Sequence, residues 1–424
     1  MSEKRQRTLL DLKRGEHLAF VSAYSWFFLL MAGYQILRPI RESLASELDV
    51  PQKSRLFLGT FVVMLIASPT YAWVVSKLTR RQMLYTVFLF FVSNILLFAF
   101  WDRFPIPDSR LWLTRVFFVW TSVFSLFATS VFWSVVVDLF SNEQGKRLFG
   151  SIASGATLGA IVASAFASFA AELIGQQNLL LLAAGLETGG VLMAGLLGRV
   201  TSQWPTVDAE TSRRPDGSML DGFLELIRSR YLLAIAAFLA LLSFCGTSNY
   251  MKITSVARDA IEDRDKRTAF FASLNLYTQL GTMILQMFIA GFLIRKLGMR
   301  FALTLLPCVY FVAFAVGGMF DLLVVWAAID VVTRMSTYGV TVPAREVLFT
   351  VVSRDAKYKA KNFIDTVVFR GSDAVASSVA LSVRWLIPFA IGWAGLSWAL
   401  GRFYRERESA MLANPKSSSE PESR

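Results

Sequence analysis

Twelve times along its length this chain runs through a predominantly apolar stretch, at 18–37, 56–76, 83–101, 111–137, 148–171, 179–198, 231–250, 270–294, 301–320, 322–342, 362–382 and 386–402. A crossing of the hydrocarbon core of a membrane takes ~20 such residues in a helix. Helices are the expected form, because within lipid every backbone N–H and C=O must find its partner inside the segment or in a closed barrel. Composition agrees: 54% of residues are hydrophobic, 36 are Phe and only 17% are charged, with a mean hydropathy of +0.49. The expectation is an all-α polytopic membrane protein of about 12 transmembrane helices. Spans on this scale leave short loops, which excludes an appended ATPase or other soluble enzymatic module.

Lys4, Arg5, Arg7, Lys13 and Arg14 precede the first span. The apolar stretch that follows is long and carries no small-residue cleavage pattern, so it reads as a retained helix rather than a secretory signal. With the N-terminus placed inside, the loops carry 28 Lys and Arg on the cytoplasmic side, counting Arg402 at the inner end of the last span, and 12 on the other. The positive-inside rule then puts both termini and the central loop in the cytoplasm. The net charge of +12 follows from these membrane-flanking loops. It is scattered rather than gathered on one soluble face, which argues against nucleic acid as a partner.

Cys245 and Cys308 fall inside apolar spans and read as buried thiols, and the single histidine, His17, stands at the mouth of the first span. Such spacing builds neither a metal site nor a disulfide framework, and no cofactor is expected. GxxxxGK[ST], GxSxG, HExxH and GxGxxG do not occur in a usable context, so the chain does not read as an enzyme.

The tenth span breaks the apolar rule. Asp330 and Arg334 lie near its middle, four residues apart and so on one helical face. Each central charge costs about 2.5–3.5 kcal/mol on an insertion scale, while a Leu, Ile or Val returns only about 0.3–0.6. The span is reasonable if the two side chains point at each other and into a bundle or a wet cavity. Intramembrane charges of this kind mark substrate or ion pathways.

The spans divide six and six around a polar stretch. We read residues 1–200 as an N-terminal bundle, 201–230 as a cytoplasmic central loop, 231–408 as a C-terminal bundle and 409–424 as a disordered tail. Within the loop, Leu220, Phe223, Leu224 and Ile227 alternate with Asp221, Glu225 and Arg228 at the period of a short amphipathic helix on the inner membrane surface. The halves echo each other. Lys77-Leu-Thr-Arg-Arg81 follows the second span and Lys296-Leu-Gly-Met-Arg300 the eighth; Ser141-Asn-Glu143-Gln-Gly-Lys-Arg147 parallels Ser353-Arg-Asp355-Ala-Lys-Tyr-Lys359. Matches at equivalent places favour duplication of a six-helix unit.

Two six-helix halves with a basic turn after the second span of each resemble the major facilitator superfamily. A narrower resemblance lies in Tyr34-Gln-Ile-Leu-Arg38-Pro-Ile-Arg41-Glu42-Ser-Leu44, which is similar to the Ile-Leu-Arg-x-x-Lys-Asp signature of the ATP/ADP translocase family. The stretch from Val131 through Asp138 to Gly150 also resembles that family's region between spans four and five. This second resemblance implies nucleotide exchange, with Arg38 and Glu42 on the family's arginine and aspartate and Arg41 in place of its lysine. Pro39 and the lysine-to-arginine change depart from the pattern.

The residues support a site without the family. A helix continuing past the first span puts Gln35, Arg38, Arg41 and Glu42 on one stripe with Tyr34 beside them, and guanidinium forks there suit phosphate or carboxylate. Span eleven offers Asn362, Asp365, Thr366, Arg370 and Asp373, and span four offers Arg115. Glu187 stands in the sixth span with no basic residue in that span, a candidate proton carrier for coupling. Bases and acids in the spans balance, which favours ion pairs or a less charged substrate over a strongly cationic triphosphate site. Gly155, Gly159 and Ala163 in the fifth span, four residues apart, suit close approach of another helix.

The reading is an inner-membrane secondary transporter working by alternating access in the lipid bilayer, with a small anionic or nucleotide-like substrate. The residues leave open a proton-coupled carrier of a small organic solute and, outside transport, a receptor or assembly factor on the same fold.

Overall fold

A computed structural model describes residues 12–13, 15–77, 80–103, 108–202, 219–379 and 381–413. The first part of the central loop, 203–218, and the last eleven residues, 414–424, lie outside the described residues.

Every regular element among the described residues is helical. In chain order they are α1 (His17–Ser46), α2 (Val50–Lys77), α3 (Arg80–Ala99), α4 (Ser109–Leu139), α5 (Asn142–Val200), α6 (Met219–Arg228), α7 (Arg230–Ala260), α8 (Arg264–Ile284), α9 (Met299–Met319), α10 (Leu323–Ser336), α11 (Val342–Leu348), α12 (Arg354–Phe363), α13 (Phe369–Val379) and α14 (Val383–Ala413). Nine helical stretches among the described residues are long and apolar enough to cross a membrane. At 59 residues, or about 88 Å by the α-helical rise, α5 is long enough to cross twice. With α3 and the α12–α13 segment, the twelve expected spans all have helical counterparts.

Local chemistry sets several boundaries. Ser141 and Gln144 cap α5 reciprocally: the Gln144 amide donates to Ser141 Oγ at 3.3 Å and the Ser141 amide to Gln144 Oε1 at 2.9 Å. Inside α5, Gly175 has φ 75° and ψ 165° and breaks the helix into the fifth and sixth spans, a conformation only glycine adopts without strain. Three expected ends move outward. α1 continues through Pro39 to Ser46, the tenth span continues past Thr341 to Val351, and α14 runs to Ala413, into the stretch expected as tail.

The tenth span continues because α10 does not stop at Ser336. A π-helical turn, Thr337–Thr341, joins it to α11, and further π-helical turns occupy Leu285–Ala290, Leu293–Leu297 and Ile364–Val368. Such turns occur mostly as local insertions in helices and concentrate at functional sites.

The chain forms two compact units. The first comprises Met1–Ala45, Ile66–Arg213 and Asp263–Leu276, and the second Ser46–Leu65, Arg214–Glu262 and Tyr277–Arg424. These differ from a plain division around the central loop, since the opening part of α2 belongs to the second unit and the opening part of α8 to the first. Side-chain bonds explain it. Lys53 Nζ donates to Thr254 Oγ1 at 3.0 Å and Ser255 Oγ at 3.3 Å, and Ser54 meets Ser378 at 2.9 Å. In the first unit Gln176 donates its backbone amide to Asp265 and its side chain to Thr268 and Ser43.

The core of the first unit is aromatic. Trp26 and Phe27 of α1 meet Phe132 of α4, and Phe91 of α3 meets Trp120 and Phe124. α1 lies close on α5 because Gly155 and Gly159 face the backbone oxygens of Tyr24 and Phe28, leaving no room for a Cβ. The small-residue stripe is therefore a packing seat, and α1 is the helix that uses it. In the second unit, α6 is amphipathic as expected but packs by Gly222 against Lys359 of α12, which leaves Phe223, Leu224 and Ile227 exposed. Cys245 is buried, whereas Cys308, expected to be buried, is exposed on α9. Its surrounding sequence is apolar, and an outward helix face in a membrane chain meets lipid.

Candidate functional site

The continuation of α1 past Leu37 carries the first cluster. Arg38 Nε donates to Glu42 Oε1 at 3.1 Å, and an Arg41 terminal nitrogen lies 3.5 Å from the same oxygen. Arg41 rests over the Phe118 ring of α4, 5.2 Å from its centroid, a cation–π contact that fixes the guanidinium plane. Its Nε is buried without a hydrogen-bond partner, as is Oε1 of Gln35. Tyr34 is half-buried against Phe124. The stripe expected from sequence is therefore assembled, with Glu42 bonded chiefly to Arg38. Arg115 stands apart: its guanidinium lies over Trp112 of its own helix.

A second cluster forms around α7. Asp330 and Arg334 of α10 point at each other, 3.0 Å apart, and Asn249 of α7 donates to Asp330 at 3.3 Å. From α13, Asp373 accepts from Ser243 and from Thr247 at 2.6 Å and lies 3.5 Å from Arg370. Ser243 and Thr247 are one turn apart, whereas Asn249 faces elsewhere, so the two aspartates hold α7 from different sides. All four charged residues were candidates from sequence; Ser243, Thr247 and Asn249 were not. Their signal was three polar side chains inside a strongly apolar span.

Asp365 does not join that cluster. It pairs with Arg345 of α11, beside a Lys361–Glu346 pair at 2.7 Å. Arg345 was expected in a loop beyond residue 342, and the π-helical turn at Thr337–Thr341 is what keeps it on the helix. Lys53, another residue outside the expected spans, is only 1% exposed and held by the two α7 hydroxyls.

Glu187 lies in the sixth span against Gly33 of α1, where a Cβ would collide with its carboxyl. It is 1% exposed, and neither oxygen has a hydrogen-bond partner.

Just before the spans begin, Glu16 accepts from both terminal nitrogens of Arg147, at 2.9 and 3.2 Å, from the side-chain amide of Gln144 and from the backbone amide of Lys13. Burial alone raises its carboxyl, yet the bonds from Arg147, Lys13 and Gln144 outweigh burial and bring the pKa down to about 2.

No curated protein sequence matches the chain. Among solved structures, a bacterial homologue of the human lysosomal transporter Spinster, inward-facing and unoccupied, superposes with a TM-score of 0.61 at 13% identity, over 93% of this chain and 99% of that one. The nucleoside transporter NupG superposes with a TM-score of 0.58 at 13% identity, over 93% of this chain and 99% of that one. A point mutant of NupG gives 0.61 at the same identity, over 92% and 99%. At such identities these likenesses establish the fold. The family model of the Major Facilitator Superfamily matches residues 23–360, most of the length, and the chain belongs to the major facilitator superfamily.

Proposed function

We propose that this secondary transporter works by alternating access and carries a small organic solute bearing one negative charge, which Arg41 receives. The state of Arg41 carries the reading. Its Nε is buried without an acceptor, and its nearest carboxylate, 3.5 Å away, is already bonded by Arg38. A desolvated guanidinium edge without an acceptor is costly unless a ligand completes it, and its planar fork fits carboxylate or phosphate at two points. Gln35 and Tyr34 supply polar contacts on the same stretch of α1.

Exchange of ATP for ADP is the finer alternative, supported by the likeness of the Arg38 to Glu42 motif to that family. Charge weighs against it. Arg38, Arg334 and Arg370 each have an acidic partner, whereas a triphosphate favours a distinctly cationic site. NupG is a nucleoside transporter, which makes a nucleoside with one acidic group a class worth testing.

Uptake of labelled cyclic AMP, lactate, uridine and ATP into proteoliposomes tests the proposal. A monoanion is expected to enter, and Arg41→Gln to raise its apparent KM by about tenfold, equivalent to the loss of ~1.4 kcal/mol of binding, with folded protein unchanged. Arg41→Lys keeps the charge but loses the fork, and falls between. Uptake of ATP solely in exchange for ADP sinks the monoanion reading. Parallel loss of abundance and activity assigns Arg41 to structure.

A further inference from the structure

Glu187 has no part in that reading. Glu187 is 1% exposed with both oxygens unbonded, and Gly33 of α1 sits directly against them. Around it, α1 presents Leu29 to Gly189 and Trp26 to Gly190, and α3 presents the Tyr85 hydroxyl to Gly195. The charged groups of α1 begin at Arg38, five residues beyond Gly33 and so about 7.5 Å along the axis. Tyr85 meets the sixth span eight residues past Glu187, about 12 Å along it. On α5 itself the nearest charged residues are Glu172, before the break at Gly175, and Arg199 at the far end. An ionised carboxylate in that seat has no bonded donor and no ion-pair partner, a condition interiors avoid by keeping the group neutral. The seat therefore fits a proton on Glu187 and does not fit its negative charge.

We propose that Glu187 is a proton-binding site that couples transport to the proton gradient. It holds a proton while the sixth span is seated on Gly33, and releases it to water when that seat opens. Two features of the fold make opening mechanical. The sixth span follows the non-helical Gly175, about which it can pivot. Its partner, α1, is the helix that carries Arg41 two turns beyond Gly33, so a shift at one place moves the other. The inference rests on the transport reading and extends it: one proton moving with one monoanion carries no net charge. Accumulation should then follow the pH gradient and ignore the membrane potential.

Infrared spectra of the purified protein in liposomes at neutral pH decide the proton site without any substrate. The wild type is expected to show the carbonyl stretch of a protonated carboxyl that Glu187→Gln lacks. If Glu187→Gln does not fold, Glu187→Asp should displace that band. Identical spectra for wild type and whichever variant folds overturn the proposal. In proteoliposomes with an inward proton gradient, Glu187→Gln is expected to lose uphill accumulation of labelled lactate or cyclic AMP but to keep exchange of the same solute across the membrane. Full accumulation by Glu187→Gln overturns coupling through this residue. Absence of wild-type flux for every labelled solute counts against the transport reading instead, and leaves the infrared result to judge Glu187 alone.

Discussion

The same helix pairing is closed by opposite chemistry in the two units. In the first, α1 meets α5 through Gly155 and Gly159, whose missing side chains let the backbone oxygens of Tyr24 and Phe28 come close. In the second, the equivalent pair, α7 and α13, is closed by hydrogen bonds: Ser372 donates to the Ala240 carbonyl at 2.6 Å, and the single Ser243 proton is shared between Asp373 and the Phe369 carbonyl. The surroundings differ in the same sense. Interlocking aromatic rings fill the first unit, while the second contains the aspartates bonded to α7 and all four π-helical turns found among the described residues. Apolar seats hold one arrangement by shape, and loosening one gains no new partner. Hydroxyls and carboxylates can exchange partners within a helix turn. Rigidity thus belongs to the seat of α1 on the fifth span at Gly155 and Gly159, and rearrangement to the second unit's α7 and to the sixth span beyond the break at Gly175.

The largest effect is expected at Asp330 and Arg334. Asp330→Asn or Arg334→Gln alone leaves a buried charge without its principal partner, a loss of about 3–5 kcal/mol. Each single variant should lose most folded protein, and the double variant should recover much of it, as read by fluorescence-detected gel filtration. Wild-type abundance in both singles would mean that the second unit does not depend on its polar network.

An intermediate effect sharpens the contrast between the seats. Gly159→Val drives methyl groups into the Phe28 carbonyl, which α1 cannot withdraw, and should destabilise by about 1–3 kcal/mol. At the matching seat Ser372→Ala removes one hydrogen bond without a clash, at about 0.5–1.5 kcal/mol. Thermal unfolding that ranks Ser372→Ala as the more damaging reverses the assignment of rigidity.

The smallest expected effect lies at the edge of the first unit. Glu16 has a folded pKa of about 2 against an ordinary 4.5. Its contribution is therefore fully present above about 4.5 and fades as pH falls towards 2. Arg147→Ala should remove part of that contribution, lowering stability at neutral pH and flattening the acid-side decline. An unchanged pH profile would show that the pair does not anchor α1 to α5.

Apolar runs of membrane-spanning length fixed the number and kind of elements before any contact was known, because a bilayer offers the backbone few alternatives. Spacing alone also made Asp330 and Arg334 neighbours and placed Arg38 and Glu42 on one stripe, since residues four apart share a helical face whatever surrounds the helix. Boundaries were less legible. Arg345 and Lys53 were assigned to loops, because a hydropathy window ends where charges enter and cannot see that Asp365 or the α7 hydroxyls receive them. Partners between helices depended on tertiary structure entirely. Nothing local tells Ser243 and Thr247 that Asp373 lies opposite, distinguishes the free edge of Arg41 from the bonded one of Arg38, or seats Glu187 against Gly33. Those facts are set by which helix faces meet, and in a chain whose helices are apolar nearly all round, sequence periodicity carries little information about which face that is.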